Sequence, residues 1–533
     1  MAYGKKEEPI LFNDKQMRQF VADGYVIFKP DVPDEVHKVV HEKLKFMEEE
    51  EFNCGNNVLP RVPEMDRVLN SPEVRGALIS VLGPGYIEHP NRHSHFIPPG
   101  REPVPVADKC HQDGYTPLAR PRQHYPRFAR IMYFPQDSPF EIGPTHVIPG
   151  SQCHKLLPDE DRQNAVPIAG KTGTVAITHY DIGHGAGINK INKPRAMIKF
   201  IYARAEEPSA PSWDCQDQVW KNPEQFETPH NLNLMWSHIW DWLCGKKDRY
   251  ESFRSVNTDP IDEALDAIKS DDLDTRISAM HSIATSSDLS AIPSLIGRLN
   301  CDLQWERLTA IYTLGALGQP AVDPLITALK DSARGKDGDP MSVIWNESSI
   351  LMNDASFALA AIGEPSLDSL IGLLDNSSEW VRINAAFALG EMDSAAAKAV
   401  PALTRCLGDA SHCVVRTATD ALGTIKQNSE EFIPSLGRLL KAGRPEWQSI
   451  IRRDWSPYDQ VRVNAAMAFT RLGKDAASAE ELLLDKLADP NGHVAAFALD
   501  ALRRIGSPLA MEGVMEYLMS RRWDESIRKD RLY

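Results

Sequence analysis

The chain has 533 residues, too many for one hydrophobic core, so two or three domains are expected. Its formal net charge of −15 argues against a general nucleic-acid binder, while 42% apolar and 25% charged residues are ordinary for a folded protein. The 8 cysteines form no Cys-x-x-Cys pair, which speaks against a zinc knuckle or a disulfide framework and for reduced thiols in a cytoplasmic compartment. No apolar leader and no long uncharged apolar run occurs, so neither secretion nor a membrane anchor is expected.

Residues 14–25 read as a helix ending at Asp23-Gly24-Tyr25, followed by a short strand at Val26-Ile27-Phe28. Val36, Val39, Val40 and Leu44 recur at helical spacing within a second helix over 34–49. Residues 89–107, rich in Pro, His and Arg, read as a long loop in which His93 and His95 are loop polar groups. Four β-like stretches follow, at 128–134, 145–149, 174–180 and 195–202. Short strands separated by turn signals predict a sandwich or a double-sheet barrel. Leu234, Trp236, Ile239, Trp240 and Leu243 then mark a helix packed on it.

The composition shifts around 245–260, where Gly245-Lys-Lys-Asp-Arg-Tyr250 and Asn257-Thr-Asp-Pro260 read as a linker. Beyond it, Ala-rich helices recur: Trp380-Val-Arg-Ile-Asn-Ala-Ala-Phe-Ala-Leu-Gly390, the related run from Cys413 to Gly423, and Gln460-Val-Arg-Val-Asn-Ala-Ala-Met-Ala-Phe469. The steps from Arg276 to Arg307 and from Arg382 to Arg416 set a period of roughly thirty residues, with insertions near 332–350 and 441–457. Such pairs bury their apolar faces only by stacking on their neighbours. They resemble short Ala-rich HEAT-type repeats, and about six pairs fit between 260 and 520.

The chemistry centres on His111-Gln112-Asp113. On a strand, residues two apart share a face, so His111 and Asp113 can meet one metal. They would be two ligands of a 2-His-1-carboxylate triad, which leaves positions on Fe(II) open for a co-substrate and oxygen. A His-x-Asp pair alone is weak, but further parts lie downstream. His184 sits in a Gly-rich run just after an alternating stretch, and Arg195 opens the next one. An arginine's planar fork suits the far carboxylate of a dicarboxylic co-substrate.

The segments Asp23-Gly24-Tyr25-Val26-Ile27, His111-Gln112-Asp113-Gly114-Tyr115, Val147-Ile148-Pro149-Gly150-Ser151, His184-Gly185-Ala186-Gly187-Ile188-Asn189 and Pro194-Arg195 together resemble the phytanoyl-CoA dioxygenase family of Fe(II)/2-oxoglutarate oxygenases. The resemblance covers about residues 10–245. It implies that His111, Asp113 and His184 bind iron and that Arg195 holds the C5 carboxylate of 2-oxoglutarate, with O2 as oxidant and ascorbate supportive. The expected architecture is multidomain. A double-stranded β-helix (jelly-roll) barrel with flanking helices spans 1–250, a linker 251–259, and an all-α HEAT-type solenoid 260–533.

The expected reaction hydroxylates an unactivated C–H bond of a small-molecule or acyl, carrier-bound substrate. The carboxylate of Asp113 speaks against halogenation, since related halogenases carry a small residue there. The chain departs from the family at Gly150-Ser151-Gln152-Cys153-His154 and at Glu141-Ile142-Gly143-Pro144, positions that bear on substrate contacts rather than the metal. His146 and His179 read as structural or supporting histidines, and Arg92, Arg101, Lys109, Arg120, Arg122 and Arg127 read equally as basic groups that meet an anionic substrate or as exposed charges with no ligand.

Two other readings stand beside this one. The chain could be a non-enzymatic adaptor with a vestigial oxygenase barrel, its repeats binding a protein partner. Alternatively, iron could sit in the repeats, as in the HEAT-like deoxyhypusine hydroxylases with their His-Glu pairs. The histidines after residue 260 are His281, His412 and His493, followed by Ser282, Cys413 and Val494, so that motif is absent. No nucleic acid and no membrane is expected as a partner.

Overall fold

Asn13 starts the first helix, α1 (Asp14–Asp23), with a capping box: its side chain accepts from the Gln16 N–H, and Gln16 reaches back to the Asn13 N–H. Gly24 ends α1 at φ 82°, where a side chain would also strike Gln152, so the chain can turn at once into strand β1 (Tyr25–Phe28). This computed structural model describes residues 7–51, 54–97, 99, 105–113, 121–256, 264–286, 289–336, 351–449 and 456–521. Helices α2 (Asp34–Glu50) and α3 (Pro72–Leu82, capped by Ser71) follow.

Seven further strands are β2 (Ile87–Ile97), β3 (Phe128–Tyr133), β4 (Thr145–Val147), β5 (Val166–Pro167), β6 (Val175–His179), β7 (His184–Ala186) and β8 (Arg195–Ala203). They form a five-stranded antiparallel sheet in the order β1-β6-β3-β8-β2 and a three-stranded sheet in the order β5-β4-β7. Alternation divides the large sheet's side chains between two cores. Ile131 and Tyr133, Val175 and Ile177, and Ile198 and Phe200 join the main core with α2 and α3. Tyr25, Met132, Ala176 and Met197 point the other way, into a smaller core shared with Val147 of the second sheet. Arg130, Arg195 and Lys199 have the parity of Met132 and Met197, so three cations lie on that inner face.

The segment expected to be a loop, 89–107, is instead a strand over its first half. Residues Arg92–Ile97 pair with Phe200–Arg195 of β8. The apolar periodicity is missing because this strand's inner face lines a polar site, not an apolar core. The stretch expected to be a linker, 251–259, is helical over Glu251–Val256 with Phe253 buried; 257–259 lie outside the described residues. Before it, helix α4 (Asn233–Leu243) buries Trp236, Trp240 and Trp242 as the sequence suggests.

The C-terminal region is helical. One row holds α5 (Leu273–Ala284), α6 (Gln304–Leu317), α7 (Asp354–Ile362), α8 (Glu379–Glu391), α9 (His412–Ile425), α10 (Pro457–Leu472) and α11 (Gly492–Ile505). Each is followed by a partner helix in a second row, which makes seven pairs among the described residues where about six were expected. The recurring arginines lace neighbouring repeats. Arg276 bonds Glu306 at 2.9 Å, Arg382 bonds Asp409 at 2.8 and 3.0 Å, and Arg462 bonds Asp489. The inserted residues 337–350 and 450–455 lie outside the described residues.

The first row faces the β region along its length. Trp305 of α6 donates to Asp161 at 3.1 Å, and Tyr312 lies 2.8 Å from His124 Nδ1. Phe357 of α7 stacks on His124, and Glu391 of α8 accepts from Gln123 (3.0 Å) and pairs with Arg127. Arg471 of α10 sits over Phe128, and Phe497 of α11 against His89. The inner face of the repeats is therefore covered by the chain's own N-terminal half.

Candidate metal centre

His111 and His184 are cross-strand neighbours. Each backbone N–H donates to the other's carbonyl at 2.9 Å. The close approach explains the glycines around His184: a Cβ on Gly185 would come within 3.0 Å of the Cys110 backbone. Gln112 points away and donates its amide to the carbonyls of Ser151, His154 and Asp181 at 3.0–3.1 Å, which fixes the motif between its two ligands. Asp113 then lies with Oδ1 3.5 Å from His111 Nε2 and Oδ2 3.5 Å from His184 Nε2.

Ligand atoms of His111, Asp113 and His184 all lie within 4.8 Å of one another, and no other such His/Cys/Asp/Glu group occurs among the described residues. Nδ1 of His111 is 3.0 Å from the Lys109 carbonyl, and Nδ1 of His184 is 3.1 Å from the Ile182 carbonyl. A carbonyl only accepts, so both Nδ1 atoms carry the proton and both Nε2 atoms present lone pairs. Asp113 Oδ1 is buried without a hydrogen-bond partner. Two imidazole lone pairs and an unpartnered carboxylate oxygen suit a divalent metal that keeps open positions. His111 is exposed, while Asp113 and His184 are buried.

Three cations surround this group. Arg130 donates to Asp113 Oδ2 at 2.5 Å and to the Tyr180 carbonyl at 3.3 Å. Lys199 Nζ donates to His184 Nε2 at 2.9 Å and lies 3.8 Å from Asp113. Burial alone would raise the Asp113 carboxyl, yet Lys199 and Arg130 hold it well below the ordinary range. Burial, with Lys199 and Arg130 beside it, holds His184 neutral, far below its usual value. Burial pushes the Lys199 ammonium down to about 8 against the pull of Asp113. Arg195 donates to the Gly143 carbonyl at 2.7 Å, its Nε is buried without a partner, and burial lowers it to about 10. No carboxylate pairs with Arg195 among the described residues, so its guanidinium has a carbonyl partner but no counter-charge.

The family model of phytanoyl-CoA dioxygenase (PhyH) matches residues 34–197. Models of the PBS lyase HEAT-like repeat and of HEAT repeats match 306–331 and 367–452. The chain carries a PhyH domain followed by HEAT repeats. Similar solved structures include the non-heme alpha ketoglutarate dependent epimerase SnoN from nogalamycin biosynthesis, at 17% identity, 36% of this chain, 82% of that chain and TM-score 0.30. The carbocyclase SnoK of the same biosynthesis has 17% identity, 38% and 88% coverage and TM-score 0.31. EctD from S. alaskensis, with 2-oxoglutarate and 5-hydroxyectoine, has 18% identity, 38% and 80% coverage and TM-score 0.30. No curated protein matches the chain.

Within the PhyH domain, the structure brings His111, Asp113 and His184 together, His184 on the three-stranded sheet, and places Arg195 on the inner face of the five-stranded sheet. His146 and His179 make local backbone contacts, to the Pro144 carbonyl and the Asp181 N–H, in line with structural roles. The basic group expected to meet substrate is largely spent internally. Arg127 is buried between Glu207 and Glu391, Arg122 bonds the carbonyls of Lys155 and Asp113, and Arg92 pairs with Glu88. Arg101 and Arg120 lie outside the described residues. Sequence reading missed Arg130 and Lys199 and took His95 for a loop polar group. Their signal was a charge inside an alternating apolar strand, at Met132 parity for Arg130 and at i+4 from Arg195 for Lys199. His95 is opposite Met197 on β2, and burial, with Lys199 nearby, lowers it to about 2. No described helix is long and apolar enough to cross a membrane.

Proposed function

We propose that the chain is an Fe(II)- and 2-oxoglutarate-dependent dioxygenase that hydroxylates an unactivated C–H bond of a small-molecule or acyl, carrier-bound substrate. The observation that carries this reading is the convergence of both Nε2 lone pairs and the unpartnered Asp113 oxygen, with Arg195, which has no carboxylate partner among the described residues, on the inner face of the large sheet. On this reading 1–250 forms the jelly-roll oxygenase domain, 251–259 the connection and 260–533 the solenoid. The setting is cytoplasmic.

Iron, 2-oxoglutarate and O2, supported by ascorbate, supply the oxidising power when bound, with succinate and CO2 as by-products. The chain's own residues do the rest. His111, Asp113 and His184 hold the metal, and Gln112 anchors the backbone between the first two. Arg130 keeps Asp113 ionised and oriented, and Arg195 takes the far carboxylate of the co-substrate. The solenoid stabilises the PhyH domain with its inner row and leaves its outer row open to a protein partner.

The test is anaerobic loading with Fe(II) and 2-oxoglutarate, followed by oxygen, with succinate as one readout. A metabolite pool screened for products gaining one oxygen atom is the other. Iron-dependent succinate, lost in Asp113→Ala, supports the reading. No succinate from the wild type, or a fully active Asp113→Ala, would remove it and favour the adaptor.

A further inference from the structure

The inner face of the large sheet carries more positive charge than the proposed reaction uses. Arg130, Arg195 and Lys199 are 0%, 2% and 8% exposed, and among the described residues Asp113 is the one carboxylate paired with any of them. If His184 and Asp113 serve a divalent metal, Lys199 loses its bond to His184 Nε2 and shares Asp113 Oδ2 with Arg130, which also bonds the Tyr180 carbonyl. A dianionic co-substrate does not restore the balance. Three side-chain cations and a divalent metal still outweigh Asp113 and that dianion by two charges. A buried ammonium without a partner is unfavourable, so the site calls for a further anion.

Geometry separates this anion from the co-substrate's far carboxylate. Arg195 and Lys199 share a face of β8 four residues apart, which sets their Cα atoms about 13 Å apart along the strand. Arg195 stands at the Gly143 end, and Lys199 reaches His184. The far carboxylate belongs to Arg195, and the co-substrate's other end is neutralised by the metal. Lys199 is left over, on the side bordered by β2, where His93 is its direct cross-strand neighbour and His95 lies opposite Met197. An uncharged imidazole there can donate a hydrogen bond to an anion without adding charge.

We propose that Lys199 is the contact for an anionic group, a carboxylate, sulfonate or phosphate, of the primary substrate, which binds on the β2–β8 side of the metal. This rests on the oxygenase reading above. Met would remove the charge and keep the bulk of Lys199; Arg would keep the charge.

The test uses the full chain, loaded anaerobically with Fe(II). 2-Oxoglutarate is titrated by the visible absorption of its iron complex, and then acetate, methanesulfonate or inorganic phosphate is added. In the wild type, at least one of the three anions shifts the spectrum saturably. Lys199→Met weakens that anion by about tenfold or more, Lys199→Arg by much less, and 2-oxoglutarate affinity falls far less in Lys199→Met than in Arg195→Met. The proposal is overturned if no anion moves the wild-type spectrum or if Lys199→Met responds as the wild type does. It is also overturned if Lys199→Met loses 2-oxoglutarate as severely as Arg195→Met, because Lys199 then serves the co-substrate. A wild type that develops no absorption with Fe(II) and 2-oxoglutarate fails at the earlier step, and the oxygenase reading falls with it.

Discussion

The PhyH domain and the solenoid both bury arginines, but they treat them differently. In the solenoid, the buried or half-buried guanidiniums at Arg276, Arg382 and Arg462 each meet an acid from the next repeat. In the PhyH domain, two buried cations, Arg130 and Lys199, share Asp113, and a third, Arg195, has only a carbonyl. Balanced charge ties elements together. Unbalanced charge, held in place by a scaffold that does not need it, marks where a ligand belongs.

Breaking the unbalanced side should cost function first. Asp113→Ala is expected to weaken Fe(II) binding by about a hundredfold or more and to abolish succinate formation, and also to cost stability, because Arg130 and Lys199 are left buried without a carboxylate. Calorimetry and a urea melt check the two halves. Arg195→Met should leave iron binding nearly intact and weaken 2-oxoglutarate by about a hundredfold, read by the same visible titration. If iron binding falls equally, Arg195 supports the metal rather than the co-substrate.

Breaking the balanced side should cost stability and spare the metal. Glu391→Ala leaves Arg127 with Glu207 alone and uncouples Gln123, so urea denaturation should show a loss of about 3 kcal/mol, with Fe(II) affinity within a few-fold. His124 supplies a smaller, pH-dependent effect. Burial lowers it to about 3 from 6.5, so the unfolded chain binds its proton first as pH falls. Stability should be full above pH 6.5 and decline as pH drops toward 3, less steeply in His124→Asn. At the weak end, the exposed pair Lys171–Asp137 should be worth under about 0.5 kcal/mol when Lys171 is changed to Ala.

What the sequence made legible follows the same divide. His111, Asp113 and His184, which the structure brings together, are readable from their spacing and order along the chain, although 112–113 form no strand. Arg130 and Lys199 are not, because alternation assigns a side chain to a face without saying which face holds the site. Strand β2 escaped because its polar inner face hid the period. The repeats were recognisable from their arginines, yet their docking was invisible. The pair Arg127–Glu391 spans 264 positions, and nothing in either local pattern anticipates the other.

That docking alters how the molecule should come apart. A free repeat array behaves as a one-dimensional chain of neighbours and can fray from either end, one unit at a time. Here α6, α7, α8, α10 and α11 each touch the PhyH domain, so those repeats cannot loosen without breaking the contacts of Trp305, Phe357, Glu391, Arg471 or Phe497. The two halves should therefore melt as one cooperative unit. Strand β3, which carries Arg130 three residues after Arg127, would transmit strain in the repeats to the carboxylate of Asp113.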